Sequence, residues 1–443
     1  MADMTPQEQL MLELTNRARM DPAGEAKRYG LKLNEGVSKG DTISASSKQV
    51  LAGNDDLADS AENHSNWMLS NDEFSHQERR GTTGFTGLNP SDRMEAAGYS
   101  FAGGGMSGEN IAATFSSSNL NATNEIIKQH ANLFIDKGVA GRGHRVNILL
   151  EDYQEAGIGQ ELGPYKTSSG TFNSSMVTQN FATSGNQIFI TGVVYDDGLV
   201  KADNFFSVGE QQRGVSINGG GPTDTTGAGG GYELSYDSGG AKTVRFGRDI
   251  SVSLTLGSEN VKIDLVSDTE IWSNATITAV STTVTELHAL GIDNIDLTGS
   301  SSANAIHGNK GRNTLSGEGG NDTIDGGRGV DELLGGAGAD TFVFANGDTG
   351  KTVAKADVIV DFSLADGDLI DLSAVDARTK TNGNQAFTFI DDQNFHNKAG
   401  ELRAFVNING DTVVAGDTNG DGKADLVILL QGNIALTQAS FDL

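Results

Sequence analysis

Between Gly299 and Val343 the chain divides into consecutive nines: GSSSANAIH, GNKGRNTLS, GEGGNDTID, GGRGVDELL and GGAGADTFV. Each approaches the pattern G-G-x-G-x-D-x-U-x, in which U is apolar. The sixth position reads Asn304, Asn313, Asp322, Asp331 and Asp340, and the eighth reads Ile306, Leu315, Ile324, Leu333 and Phe342. A nine-residue unit holds one turn and one very short strand, so it cannot bury its apolar residue alone. Stacked units form a parallel β-roll with the eighth residue inside. Glycine supplies the positive φ such turns need and leaves their carbonyls accessible. A flexible linker would have no reason to keep an apolar residue at every ninth position.

Turn carbonyls and aspartates are hard oxygen ligands, of which calcium takes six to eight. The expected calcium ligands are the backbone carbonyls of Gly308, Lys310, Gly317, Gly319, Gly326, Arg328, Gly335 and Ala337, with the side chains of Asn313, Asp322, Asp331 and Asp340. Turns on the same side of a roll are 18 residues apart, so Asp322 is expected to share an ion with Asp340, and Asn313 with Asp331. The first two nines carry Asn in place of Asp, which predicts a weaker site there.

These nines resemble the RTX repeats of secreted bacterial proteins. The segments DVIVDFSLADGDLIDLSAVDA at 357–377 and AGDTNGDGKADLVILLQG at 415–432 are similar to the C-terminal domain of serralysin-type proteases. That resemblance implies export in one step by a type I ABC transporter, which reads an uncleaved C-terminal signal, here ending Phe441-Asp442-Leu443. It therefore implies an extracellular protein, although the start lacks the basic and apolar regions of a signal peptide. Asp417, Asn419, Asp421 and Asp425 mimic the opening of an EF-hand loop, but Ile428 stands where that loop needs glutamate, leaving a capping β-structure with one more possible calcium. No His-Glu-x-x-His is present, so the resemblance transfers no protease activity.

The chain's 443 residues allow about three domains at ~150 residues each. With no cysteine, disulfides and thiolate metal sites are excluded. The net charge of −28 argues against nucleic acid or an anionic membrane as partner. No stretch approaches the ~20 apolar residues of a membrane span.

The front of the chain opens on a capping box at Thr5-Pro6-Gln7-Glu8, followed by Leu10, Met11, Leu14 and Ala18 at helical spacing. A second helix is predicted to place Leu57, Ala61, His64 and Met68 on one face. A third should bring Ile126, Ile127, His130, Leu133 and Phe134 together. His64 and His130 are expected in the core. Strands are predicted near 156–160 and 176–181, so residues 1–186 read as an α+β domain, an α-β-α sandwich.

Several phrases here resemble the CAP superfamily in its bacterial, SCP-like form: AENHSNWMLSNDEFSH at 61–76, SDRMEAAGYS at 91–100, GENIA at 108–112, GRGHRVNILLEDYQEAGIG at 141–159 and VTQNF at 177–181. The resemblance implies a cleft lined by two histidines and one or two glutamates, carried over as His76, Glu109 and His144. The second cleft glutamate has no clear match, although Asp136 lies nearby in sequence. Such a set has the ligand types of an open zinc site, or could exchange protons with a bound substrate. Neither reading comes with a nucleophile, since Gly105-Met106-Ser107-Gly108-Glu109 departs from G-x-S-x-G at its last position. Arg145 is expected on the surface or in a salt bridge. The glycines of 102–108 are expected to shape the turn that presents Glu109.

Residues 187–298 alternate and turn often, as an all-β spacer or small β-sandwich does. Asp196, Asp203, Asn204 and Glu210 are possible ion ligands there. The sequence as a whole reads as an α-β-α domain, a β spacer, and a β-roll at 299–443 carrying the export signal. The expected function is that of a secreted calcium-binding protein whose front domain binds a small apolar or lipid ligand or a cell-surface partner. The alternatives are a metal-assisted hydrolase built on His76, Glu109 and His144, and an adhesive or matrix protein.

Overall fold

The computed structural model describes residues 4–101, 105–183 and 185–443. These form two compact units, 4–247 with 255–268 and 248–254 with 269–443. No helix among the described residues is long and apolar enough to cross a membrane.

In the first unit, helix α1 (Pro6–Met20) begins at the predicted capping box, with Thr5 capping and Glu8 returning to the Thr5 N–H at 2.7 Å. Helices α2 (Pro22–Arg28), α3 (Asp55–Ser70), α4 (Pro90–Ala97), α5 (Ala122–Ile135) and α6 (Gly143–Ile148) surround a sheet of β1 (Ala52–Gly53), β2 (Ser107–Ser116), β3 (Glu155–Thr167) and β4 (Gly170–Ala182), ordered β1-β3-β4-β2. Side chains alternate faces along a strand, and β4 shows how this builds three layers. Thr178 and Asn180 bond to Ser65 and to the Leu57 carbonyl of α3. Ser175 and Gln179 bond instead to Gln129 of α5 and Thr15 of α1. On β3, a Cβ at Gly157 or Gly159 would collide with the α3 backbone, so glycine is required for α3 to lie this close.

The predicted apolar faces of α1 and α3 are buried, His64 among them. On α5 the expectation holds for Ile126, His130, Leu133 and Phe134, but Ile127 is 43% exposed. At about 100° per residue Ile126, His130, Leu133 and Phe134 share one arc of about 100°, and Ile127 falls just beyond its edge. The middle segment contributes strand Ile188–Tyr195, buried along its length and paired with Gly231–Tyr236 and Val261–Val266. Lys262 is buried there against Glu13 of α1 at 2.7 Å and Asp264 at 2.5 Å.

The second unit is the roll. Short strands stack in parallel at a spacing of 18, pairing Ile306 with Ile324 and Ile324 with Phe342 on one side, and Leu297 with Leu315 and Leu315 with Leu333 on the other. The five eighth-position side chains are all fully buried, as predicted. Burying each one contributes roughly 1.5–3 kcal/mol. Beyond the nines, Asp357–Ile359 and Leu369–Ala374 continue the two stacks. The antiparallel strands Glu401–Val406, Thr412–Asp417 and Leu426–Leu430 follow, and Phe441 pairs with Ile370.

Candidate functional sites

The roll's aspartates are organised by their backbone neighbours. Asp322 Oδ1 accepts the Asn304 N–H at 2.7 Å, Asp340 Oδ1 accepts that of Asp322 at 2.8 Å, and Asp368 Oδ1 accepts that of Asp340 at 3.0 Å. On the other side, Asp331 takes the Asn313 N–H at 2.8 Å and Asp357 takes that of Asp331 at 2.9 Å. The second carboxylate oxygens of Asp322, Asp331, Asp340 and Asp357 are buried and have no hydrogen-bond partner among the described residues. A buried carboxylate oxygen without a partner is costly and calls for a cation. Burial accordingly pushes the Asp322 carboxyl up to about 6, with Asp340 adding repulsion. It also pushes Asp331 to about 7 and Asp357, next to Asp331, to about 8.

The turns leave room for that cation. A Cβ on Gly317 would collide with Asp322 Oδ2 and lie 2.5 Å from the Gly335 carbonyl oxygen, so these two oxygens converge in front of bare Cα hydrogens. Gly335 opposes Asp340 Oδ2 and Gly326 opposes Asp331 Oδ2 in the same way. The asparagines behave differently. Asn313 accepts from the Asn309 N–H at 3.0 Å and donates to the Ile295 carbonyl at 2.7 Å. Asn304 accepts from Ser300 and donates to Val284. Both ends of each amide are thus hydrogen-bonded, whereas each aspartate keeps one oxygen unpaired. The pattern in the sequence stopped at Asp340, so it missed Asp357, which follows Asp331 after 26 residues because a longer loop intervenes.

The acidic loops elsewhere are closed on themselves. Asp417 takes the N–H groups of Gly420 at 2.7 Å and Gly422 at 2.8 Å. Glu210 takes those of Lys201 and Ser207, while Asp203 pairs with Lys201 at 2.6 Å.

In the first unit, Glu109 on β2 meets His76 Nδ1 at 2.8 Å and the guanidinium of Arg93 from α4. Arg93 is fully buried, and its other contacts are the His76 carbonyl at 3.0 Å and Glu78 at 3.8 Å. Glu78 in turn holds His64 Nδ1 at 3.0 Å. Burial alone would raise the Glu78 carboxyl, but His64, the Thr86 N–H and Arg93 together hold it below its ordinary range. His144, at the start of α6, turns to Asp136 at 2.8 Å. Asp136 caps α5 in the left-handed region at φ +54 and also accepts the His144 N–H. Neighbouring β2 residues face opposite ways: Glu109 joins His76 and Arg93, whereas Asn110 bonds to Gln179 and the His144 carbonyl. The ligand atoms of His76, Glu109 and His144 therefore do not gather within 4.8 Å of one another.

Two further expectations change here, and the one for His130 holds. Arg145 is neither on the surface nor in an acidic pair. It is fully buried and donates to the Phe134 and Ile135 carbonyls at 2.6 and 2.7 Å, satisfying the end of α5. Of the glycines expected to shape a turn before Glu109, 102–104 contain two that lie outside the described residues, while Gly108 lies on β2 itself and admits the Tyr153 hydroxyl against its Cα. Buried His130 lies 3.5 Å from Glu25, and burial keeps its imidazole below the usual range despite that carboxylate.

Two segments of the chain match known protein families. Residues 298–333 and 324–349 match the RTX calcium-binding nonapeptide repeat. Residues 12–181 match the cysteine-rich secretory protein family, CAP. No protein of curated function matches the chain. Among solved structures the chain is similar to the AlgE6R3 subunit of the Azotobacter vinelandii mannuronan C5-epimerase, with 28% identity over 34% of this chain and 77% of that one, at a TM-score of 0.24. It is also similar to an extracellular protein containing a SCP domain from Bacillus anthracis str. Ames, with 22% identity over 40% of this chain and 39% of that one, at a TM-score of 0.23. The chain thus spans well under half of that second protein's length.

Proposed function

Because one chain joins a CAP domain to RTX calcium-binding repeats, we propose that it is a secreted protein folded by calcium, whose CAP domain binds a partner without catalysis. The observation that carries this reading is the set of buried Oδ2 oxygens on Asp322, Asp331, Asp340 and Asp357, which have no hydrogen-bond partner among the described residues. Calcium held by them would be completed by turn carbonyls, those of Gly308, Lys310, Gly317, Gly319, Gly326, Arg328, Gly335 and Ala337. The ion at Asp322 would bridge to the Gly335 turn. Asn313, already hydrogen-bonded, would hold the weaker site.

Sites of this kind in extracellular modules bind calcium at ~10⁻⁴–10⁻³ M. In a calcium-poor cytosol the acidic repeats would stay unfolded and threadable, and external calcium would fold them by mass action. This suits export by a type I ABC transporter reading the C-terminal segment. For the CAP domain, the His76–Glu109–Arg93 cluster supplies polar groups. Phe74, Leu88 and Met106, all more than a third exposed, lie close to it in sequence and offer apolar contacts. That combination fits a small apolar or lipid ligand with one polar end.

The test is elemental analysis of full-length protein purified in calcium, with organic extraction of the same sample. Several calcium ions per chain, reduced in Asp322→Asn and Asp331→Asn, are expected. A chain that holds no calcium would overturn the folding half of the proposal. Ester or peptide hydrolysis abolished by His76→Ala would overturn the binding half.

A further inference from the structure

On the outer face of the roll, strands Glu270–Ser273, Glu286–Ala289, Ala305–His307 and Thr323–Asp325 stack in parallel. The register sets Trp272, His288, His307 and Asp325 in one column. Glu286 is two residues before His288 and so points to the same face, while Leu287 between them is buried inside the roll. Glu286 Oε1 lies 2.7 Å from His288 Nε2 and 3.2 Å from His307 Nε2. The ligand atoms of all three residues fall within 4.8 Å of one another. We propose that Glu286, His288 and His307 form a binding site for a divalent transition-metal ion of the zinc class.

The ligand chemistry selects that class. Calcium takes oxygen ligands, and its needs are met in the turns; imidazole nitrogen suits zinc, copper and nickel. A tetrahedral zinc with bonds of ~2.0–2.2 Å sets neighbouring ligand atoms roughly 3.3 Å apart, close to the spacings of Glu286 to the two rings. The rings already lie side by side, and each would tilt to aim its in-plane lone pair at a shared ion. His288 and His307 stack at 4.5 Å, and Trp272 stacks on His288 at 4.0 Å. Asp325 Oδ2 lies 3.9 Å from His307 Nδ1, beyond hydrogen-bond distance but near enough to close onto a metal-bound imidazole and orient it. His288 is the most covered of the three side chains at 15% exposed; His307 and Glu286 are about twice as open. An ion would therefore be reached from solvent and keep a water at its fourth position. Such an ion would join strands Glu286–Ala289 and Ala305–His307 across the roll surface, on a face separate from the calcium turns.

The test uses the full chain saturated with calcium, so that the turn oxygens are occupied, and titrates Zn²⁺ against a chromophoric chelator, with Co²⁺ absorption as a report of geometry. About one Zn²⁺ per chain and intense tetrahedral Co²⁺ bands are expected. His307→Asn should abolish both, and Asp325→Asn should weaken Zn²⁺ binding by about tenfold through loss of ring orientation. His76→Asn should change neither. His307 is partly exposed, so its variant should retain the wild-type melting temperature in calcium; Glu286→Gln, similar in size, gives a second loss-of-ligand variant. Zn²⁺ binding that survives in His307→Asn and Glu286→Gln, or that is absent from the wild type, would overturn the proposal.

Discussion

Asp340 binds the backbone of Asp322, 18 residues away, through one carboxylate oxygen at 2.8 Å, while its other oxygen is buried without a hydrogen-bond partner among the described residues. The first contact sets the stacking of the two turns, and the second leaves a negative charge that the protein itself does not neutralise. The same division recurs at Asp322, Asp331 and Asp357. The unpaired oxygens thus fall at the places where the roll's geometry is most regular.

One consequence is a pH dependence that calcium should erase. The carboxyls of Asp322, Asp331 and Asp357 are raised to about 6, 7 and 8 by burial first and by neighbouring aspartates second. A carboxyl raised on folding contributes stability below its unfolded pKa, near 4, and loses it as pH rises through the folded value. Calcium-free protein should melt at a higher temperature at about pH 5 than at about pH 8, and calcium should stabilise most at the higher pH. Scanning calorimetry with and without chelator checks this; equal melting temperatures at both pH values in chelator would refute it.

Asp331→Asn should act in opposite directions with and without calcium. Asn313 and Asn304 show that the sixth position accommodates an uncharged amide, which accepts a backbone N–H of its own turn and donates to a carbonyl of the preceding one. Relieving an unpaired buried acid is worth about 1–3 kcal/mol. The variant should therefore melt higher than wild type in chelator and lower in millimolar calcium. A shift of the same sign in both conditions would show that Asp331 does not hold an ion.

Gly317 tests the space in front of Asp322. Its alanine variant would push Cβ into Asp322 Oδ2 and the Gly335 carbonyl, where calcium is expected to sit. Gly257→Ala has nothing within 4 Å of the new atom and serves as control. Calcium titration followed by tryptophan or far-UV signal should show a weakened transition only in Gly317→Ala.

Arg93 holds the CAP domain's buried acids together. Arg93→Met would leave buried Glu109 and Glu78 without their shared cation, and removing one partner of a buried ion pair costs about 3–5 kcal/mol. Denaturant unfolding of the first unit should reflect that loss. A change below about 1 kcal/mol would mean the cluster is solvated in solution, as exposed pairs are.

The legible part of this chain was the part written in local periodicity. The eighth-position apolar column, the Thr5–Glu8 capping box, the buried faces of α1 and α3 and the 18-residue register all follow from spacing alone. Legibility fails where a side chain's partner is chosen by loop length or helix ends. Asp136 is eight residues from His144, yet they pair because α5 ends in a left-handed cap that turns the chain back. Arg145 looks exposed in sequence and is buried because the last carbonyls of α5 need donors. His288 and His307 are 19 residues apart rather than 18, so no repeat marks them, and only strand register stacks them. The sequence by itself determined that turns would repeat, that the apolar residue would go inward, and that aspartates would recur in the turns. Which oxygens stay unpaired, and which histidines meet a carboxylate, was decided by tertiary structure, because those contacts join residues whose separation follows no period.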